Sequence, residues 1–245
     1  MRCLYPKCQD RVDPVAVYGR LARHPSGRPA VRLNMISSVD GAAVLAGRSG
    51  PLGGAADRNL FATLRSLASI ILVGAGTMRV EGYGPVRLGD AARARRVGDG
   101  MAPVPPIAVV TRSCALPWGA PFFTEAESRP VVVTVAAAAQ ENLDRAALVA
   151  DVVVAGELEV DLPRAVQALG QRGYSDVLAE GGPRTAAQLS AALLVDELCL
   201  TLAPMLISGD APRVLNGPDL SPLTALALDL VLEADDYLFL RYRRR

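Results

Sequence analysis

Two short stretches of the sequence place glycines where an apolar run ends and an amphipathic run begins. The first is "ILVGAGT" at residues 71–77, and the second is "LAEGGPRT" at residues 178–185. Glycine lets another molecule approach the backbone closely, and the first N–H groups of a helix carry partial positive charge. Each junction therefore has the chemistry of a phosphate site at a helix N-terminus. Tight packing of the backbone would also explain either junction.

Together, the two junctions favour a dinucleotide crevice at the carboxyl ends of neighbouring strands. The usual Rossmann fingerprint is incomplete, because Arg79 stands where the third glycine of G-x-G-x-x-G would be. The junction residues that we predict to contact the cofactor are Gly74, Ala75, Gly76, Thr77, Gly181, Gly182, Pro183, Arg184 and Thr185.

Three carboxylates lie beside the predicted crevice, namely Asp57, Glu81 and Glu180. Hydride transfer to a C=N bond requires a proton at nitrogen, and a carboxyl group is the side-chain source that this sequence offers, directly or through water. We therefore predict Asp57 and Glu180 as catalytic residues. Asp57 also suits the first turn of a helix, where the helix dipole alone would favour it.

Arginines suggest how anionic groups would be bound. Arg112 follows a strand, and near the adenosine end of a cofactor it would favour a 2′-phosphate and hence NADPH. Arg65 lies two helical turns after Asp57, and it could pair with Asp57 or meet an anionic substrate.

The stretch "NMISSVDG" at residues 34–41 runs from a strand into a polar turn. Ser38 and Asp40 could bind a ligand there. Equally, aspartate before glycine is ordinary turn chemistry, in which the side chain accepts from nearby backbone N–H groups.

Composition excludes several classes of protein. The 245 residues carry a net charge of +1, which argues against a strongly basic nucleic-acid surface. We expect neither a secretory signal nor a membrane span, because the N-terminus lacks an apolar core and no apolar run reaches about 20 residues. The single histidine and the spacing of four cysteines fit no metal motif, so we expect no metal and reduced thiols in the cytoplasm.

Strand and helix patterns alternate from residue 30 to about residue 200. This order predicts an α/β fold with a mixed, mostly parallel central sheet, helices on both faces and an antiparallel C-terminal hairpin. Predicted strands are 30–36, 69–74, 106–111, 130–135, 151–156, 175–182 and 195–207, with a hairpin at 228–245. Predicted helices are 55–67, 140–149, 161–173 and 183–194. We predict an N-terminal arm at 1–28 and a single domain at 29–245.

Three segments resemble a known family. They are "VRLNMISSVDG", "LRSLASIILVGAGTM…EG…GPVR" and "VLAEGGPRTAAQLSAALLVDELCLTLAPMLISG", in matching order over roughly residues 31–210. Together they resemble the reductase domain of the bifunctional riboflavin-biosynthesis deaminase/reductase. The resemblance implies a dihydrofolate-reductase-like fold, a homodimer, and NADPH-dependent reduction of 5-amino-6-(5-phosphoribosylamino)uracil to the ribityl compound. No deaminase motif is present, which implies a stand-alone reductase.

The resemblance also implies roles for individual positions. Those that match NADPH contacts are Ile36, Ser37, Thr77, Glu81, Arg112 and the run 182–187. Those that match the phosphoribosyl end of the substrate are Ser49, Arg65 and Arg87. Glu180 matches the carboxylate that contacts the pyrimidine near the hydride path.

The chain departs from the family pattern at three places in the substrate half. Asn34, which we also take as a substrate contact, stands where the family often has lysine. A Trp-Ile-Thr-Gly loop is replaced by residues 51–54, and an Asp-Asp-Pro motif by residues 81–85. Two other functions therefore stay open. One is dihydrofolate or dihydropterin reduction with Asp57 as the proton relay, and the other is a nucleotide-binding module without enzymatic activity.

Overall fold

A computed structural model describes all 245 residues, and their strands form a single ten-stranded sheet. The strands are β1 Arg2–Tyr5, β2 Ala30–Ser38, β3 Ile70–Gly74, β4 Ile107–Val110, β5 Val131–Thr134, β6 Asp151–Val154, β7 Asp176–Ala179, β8 Val195–Ala203, β9 Leu226–Ala234 and β10 Tyr237–Arg244. Their spatial order is β1-β9-β10-β8-β2-β7-β3-β4-β5-β6.

Six neighbouring strand pairs are parallel, from β8 through β2 to β6, and three are antiparallel. Parallel strands end at the same edge of a sheet, so the residues after β2, β3, β4 and β7 meet along one line. These are the segments in which the sequence places its candidate chemistry. The predicted fold class is confirmed.

Helices cover both faces of the parallel half. They are α1 Pro14–Tyr18, α2 Ala55–Leu67, α3 Ala75–Glu81, α4 Asp90–Gly98, α5 Pro121–Thr124, α6 Gln140–Val149, α7 Leu162–Gln171 and α8 Pro183–Ala191. Residues of α2, α3 and α6 belong to one buried apolar cluster, and residues of α7 and α8 belong to a second. None of these helices combines the length and the apolar character that crossing a membrane requires.

The N-terminal arm contains more structure than the sequence suggests. β1 pairs antiparallel with β9, so β1 and not the C-terminal hairpin forms this edge of the sheet. Arg32 of β2 ties the arm to the sheet by donating to Glu197 and to the carbonyl oxygens of Tyr18 and Gly19. The domain boundary at residue 29 stays a prediction.

One helix lies in a stretch that the sequence shows only as rich in glycine, proline and arginine. In residues 84–105, α4 is anchored by Arg96, whose buried guanidinium donates to the carbonyl oxygens of Ser66, Ala68 and Ala102. An apolar stripe therefore does not mark this helix, since its main buried side chain is charged.

Candidate active site

A cleft with a volume of about 1020 Å³ opens along the carboxyl ends of the parallel strands. That volume is at the upper end of small-molecule sites, which span about 300–1,000 Å³, so it can hold more than one small molecule. The predicted site residues that line it are Asn34, Ile36, Ser49, Asp57, Arg65, Gly74, Ala75, Gly76, Thr77, Glu81, Arg112, Glu180, Gly182, Pro183, Arg184 and Thr185.

The two glycine-rich junctions lie against each other in this cleft. The N–H of Gly74 donates to the carbonyl oxygen of Gly181 at 2.8 Å. A Cβ added to Gly74 would collide with the hydroxyl of Thr185, and one added to Gly182 would collide with the hydroxyl of Thr77. These two glycines are therefore required by packing between the junctions, the explanation that the sequence left open.

The same junctions still present backbone to the cleft. A Cβ on Gly76 would meet nothing within 4 Å, so the first turn of α3 is open to solvent there. α8 has Gly182 as its N-cap, and its first N–H groups have no partner within the helix. An open backbone beside a helix N-terminus, in an elongated cleft, fits the diphosphate of a dinucleotide.

A buried ion pair forms the wall of the cleft. Nε and Nη2 of Arg65 donate to Oε1 and Oε2 of Glu180, both at 2.7 Å. The phenol of Tyr83 donates to Oε2 of the same carboxylate at 2.9 Å. The Arg65 guanidinium also lies 4.2 Å from the centroid of the Phe61 ring. Arg65 therefore pairs with Glu180 and not with Asp57. The reason is that Glu180, which directly follows β7, lies against the face of α2 that carries Arg65.

The environment of this pair shifts two pKa values. Burial would lower the pKa of Arg65, but the adjacent Glu180 carboxylate outweighs it and raises that pKa. Burial, reinforced by the Glu180 charge, raises the pKa of Tyr83 well above its ordinary value. Both side chains thus remain hydrogen-bond donors throughout the physiological range.

Asp57, like Glu81, lines the cleft without forming an ion pair. It lies in the first turn of α2, close to the buried Thr201. Burial raises the pKa of Asp57, and the Thr201 hydroxyl and the Arg58 charge oppose that effect only in part. A carboxyl group with a raised pKa beside a cleft can hold a proton that it later donates.

Glu81 and Ser49 contact each other across the cleft entrance. Oε1 of Glu81 accepts from the Ser49 N–H at 2.7 Å and from its hydroxyl at 2.9 Å. The sequence assigned Glu81 to the cofactor and Ser49 to the substrate. Their contact shows that the loop before α2 is held by the end of α3.

Arginines in the cleft differ in how far their charge is neutralised. Arg112 pairs with Glu159 at 2.7 Å, and both side chains are exposed. Arg58 donates only to the carbonyl oxygen of Gly53. The cleft arginines without a carboxylate partner are Arg58, Arg79 and Arg184.

Five predicted site residues do not line the cleft, namely Ser37, Ser38, Asp40, Arg87 and Gly181. The hydroxyl of Ser38 donates to Asp40, which also accepts from the N–H groups of Ile207 and Ser208. Ile207 and Ser208 lie 167 and 168 residues from Asp40, so this carboxylate fastens its turn to the segment after β8 and does not simply cap its own turn. Arg87 is exposed and pairs with Glu125. The binding roles of these five residues stay predictions.

Sequence reasoning missed several side chains that line the cleft, among them Arg58, Phe61, Arg79, Tyr83 and Glu159. A signal existed for Phe61, because it lies one helical turn after Asp57 and one before Arg65, on the same face of α2. Tyr83 lies just after α3, and Glu159 lies in the loop before α7. In such segments the sequence has no periodicity that would indicate which way a side chain points.

Comparison with known families identifies the chain. The family model described as the RibD C-terminal domain matches residues 29–234. The chain belongs to the RibD C-terminal domain family. This match confirms the resemblance that the three sequence segments indicated.

Two curated relatives of this RibD-type chain have the same name. A protein of Archaeoglobus fulgidus is 30% identical over 192 residues, which cover 78% of this chain and 87% of that protein. One of Methanothermobacter thermautotrophicus is 29% identical over 211 residues, with coverage of 83% and 91%. Both are named 2,5-diamino-6-ribosylamino-4(3H)-pyrimidinone 5′-phosphate reductase.

Solved structures of similar proteins have the same fold as this chain. A pyrimidine reductase-like protein of Corynebacterium diphtheriae superposes with a TM-score of 0.82 at 29% identity, covering 95% of this chain and 98% of that one. RibD of Acinetobacter baumannii, at 23% identity, shares the fold with a TM-score of 0.71 over 90% of this chain and 59% of that one. The RibD-type chain is an oxidoreductase of the pyrimidine reductase type in riboflavin biosynthesis, as predicted, and such a reductase uses a nicotinamide cofactor.

Proposed function

We propose that this protein is an NADPH-dependent reductase that converts the ribosyl group of 5-amino-6-(5-phosphoribosylamino)uracil into ribityl. The observation that carries the proposal is one cleft in which a glycine-lined helix N-terminus, the half-buried carboxyl group of Asp57 and the ion pair of Arg65 with the buried Glu180 meet. The family and the named reductase relatives support the same reaction.

The choice of NADPH over NADH rests on Arg112. Its guanidinium lies on the cleft wall after β4 and is engaged only by the exposed Glu159. Exposed ion pairs contribute only about 0–1 kcal/mol, so a doubly charged 2′-phosphate can take the place of Glu159. When bound, the cofactor supplies the hydride.

Asp57 is the proton donor in this proposal. Reduction of the C=N form of the ribosylamino group adds hydride to carbon and a proton to nitrogen. Because burial raises the pKa of Asp57, this carboxyl group keeps its proton at a higher pH than an exposed aspartic acid. Glu180 is less suited to donate, since both of its oxygens already accept hydrogen bonds.

The Arg65–Glu180 pair is suited to orient the pyrimidine ring. Arg65 retains N–H groups beyond those that Glu180 accepts, and Glu180 retains lone pairs. The substrate and cofactor phosphates meet the cleft arginines that no carboxylate neutralises. Of these, Arg58 is nearest in sequence to Asp57, and Arg184 lies in the first turn of α8.

A second substrate is favoured by the relatives. Both are named for 2,5-diamino-6-ribosylamino-4(3H)-pyrimidinone 5′-phosphate, which carries an amino group where the uracil compound has an oxygen. The alternative function, in which Asp57 relays the proton to a pterin, has dihydrofolate as its substrate.

One assay separates these substrates. NADPH absorbance is followed with the purified protein and, in separate reactions, the uracil compound, the diaminopyrimidinone and dihydrofolate, with NADH as the cofactor control. We expect oxidation of NADPH with a phosphoribosylamino-pyrimidine and a larger KM for NADH. Turnover of dihydrofolate alone would replace the proposal by its alternative, and cofactor binding without any turnover would favour the binding-module hypothesis.

We further propose that the enzyme is a cytoplasmic homodimer. Its four cysteines are free, which suits a reducing compartment. One face of the antiparallel strands presents half-exposed apolar side chains in register, with Leu198, Leu200 and Leu202 of β8 beside Tyr242, Leu240 and Leu238 of β10. A face of this kind suits a second copy of the chain.

A further inference from the structure

Tyr83 stands in the segment that replaces the family's Asp-Asp-Pro motif. α3 ends at Glu81, and Gly82 adopts φ 68°, a left-handed conformation that favours glycine. The N–H of Tyr83 then donates to the carbonyl oxygen of Met78 at 2.9 Å. This turn reverses the chain direction and brings the Tyr83 side chain back to the cleft, which it lines.

The Tyr83 side chain contacts both members of the buried ion pair. Its hydroxyl lies 2.9 Å from Oε2 of Glu180, and its ring centroid lies 5.3 Å from Cζ of Arg65. The Glu180 side chain is 1% exposed, so water does not compete for that oxygen. The hydroxyl and the ring therefore act on different members of the pair.

From this geometry we infer that Tyr83 is a positioning residue, which holds the Glu180 carboxylate and the Arg65 guanidinium in the orientation that meets the pyrimidine. The inference rests on the proposed function. Without the phenol, Oε2 of Glu180 loses a neutral donor in a water-poor site, and the carboxylate can rotate away from the substrate face. A residue that only filled space would contribute its ring and not its hydroxyl.

The first test is Tyr83→Phe, which removes the hydroxyl and keeps the ring. With the better pyrimidine substrate, we expect kcat/KM to fall about tenfold or more, the size expected for a lost hydrogen bond to a charged group. The Kd of NADPH should not change. Tyr174→Phe is the matched control, because Tyr174 is partly buried and lies outside the cleft. Unchanged kcat/KM in Tyr83→Phe would overturn the inference.

A double-mutant comparison asks whether Tyr83 acts through Glu180. If it does, adding Tyr83→Phe to Glu180→Ala should reduce kcat/KM no further than Glu180→Ala alone. Independent, additive losses would contradict the positioning role. Binding of NADPH to each variant checks that it folds.

A crystal structure of Tyr83→Phe gives a readout that does not depend on turnover. We expect the Glu180 carboxylate to rotate or to occupy two conformers. A Glu180 side chain in its original place would refute the positioning role whatever the assay shows. A carboxylate that moves in a protein that reduces neither pyrimidine would leave the positioning role standing, and only the proposed function would fail.

Discussion

Asp57 and Glu180 lie in the same cleft but in different surroundings. Glu180 accepts three hydrogen bonds from Arg65 and Tyr83, so both of its oxygens are already engaged. Asp57 lies beside the neutral hydroxyl of Thr201, and burial dominates its pKa. Two carboxylates with different partners can divide the work, one giving a proton and the other orienting the substrate.

The pH dependence of Asp57→Asn tests the proton role. Because the pKa of Asp57 is raised, we expect wild-type kcat to be highest at low pH and to fall as the pH rises through that pKa. Asp57→Asn should lower kcat by about 10²–10⁴-fold and abolish that fall. Steady-state rates across pH 5–9 measure both effects.

The control for this variant is Asp90→Asn. Asp90 also lies in the first turn of a helix, α4, but it is outside the cleft. A near-normal kcat with an unchanged pH profile in Asp57→Asn would exclude Asp57 as the donor.

At the scale of elements, α3 and α8 are held together by reciprocal contacts. Gly74 before α3 accommodates Thr185 of α8, and Gly182 before α8 accommodates Thr77 of α3. Since β3 and β7 are hydrogen-bonded neighbours, the junctions that follow them must share the same space. The glycines therefore set the distance between the two helix N-termini.

Gly74→Ala tests this interlock. The backbone of Gly74 has φ −72°, which alanine tolerates, so the cost should come from the collision with the Thr185 hydroxyl. We expect a loss of about 1–3 kcal/mol in the free energy of unfolding. Adding Thr185→Ala to this variant should recover most of the lost free energy of unfolding. Urea unfolding of both variants measures the difference.

Gly98→Ala is the matched control for the interlock. A Cβ there meets nothing within 4 Å, and Gly98 lies in α4, so alanine should be neutral or stabilising by up to about 1 kcal/mol. If Thr185→Ala failed to offset Gly74→Ala, the threonine contact would not be the reason for the glycine.

For the molecule as a whole, the antiparallel half of the sheet has two unlike faces. Cys199, Leu232 and Phe239 on one face belong to the large buried cluster. The opposite face exposes leucines in register across β8 and β10, with Leu200 directly beside Leu240. Apolar rows of this kind favour association, because burying them removes apolar area from water.

Leu240→Lys tests the proposed dimer. A charge in the centre of this face should make the protein a monomer, whereas Leu148→Lys, at an exposed position of α6, should leave its mass unchanged. Light scattering after size-exclusion chromatography measures the mass of each form. A dimer that survives Leu240→Lys would place the interface elsewhere.

Local patterns in the sequence were sufficient for most of the fold. Alternating strand and helix signals predicted the parallel half, and α2 and α6 begin and end at the residues expected. The helical spacing of Asp57 and Arg65 placed both on the cleft face of α2. Such patterns work because the side chain that faces the core recurs with the period of its own element.

Only the tertiary structure decided which distant groups meet. Arg65 and Glu180 are 115 residues apart, and Tyr83 and Glu180 are 97 apart, so no local period relates them. The glycines likewise looked like a ligand surface until Thr77 and Thr185 were found beside them. Periodicity reports the face on which a side chain lies, whereas its partner depends on strand order and on where each helix crosses the sheet.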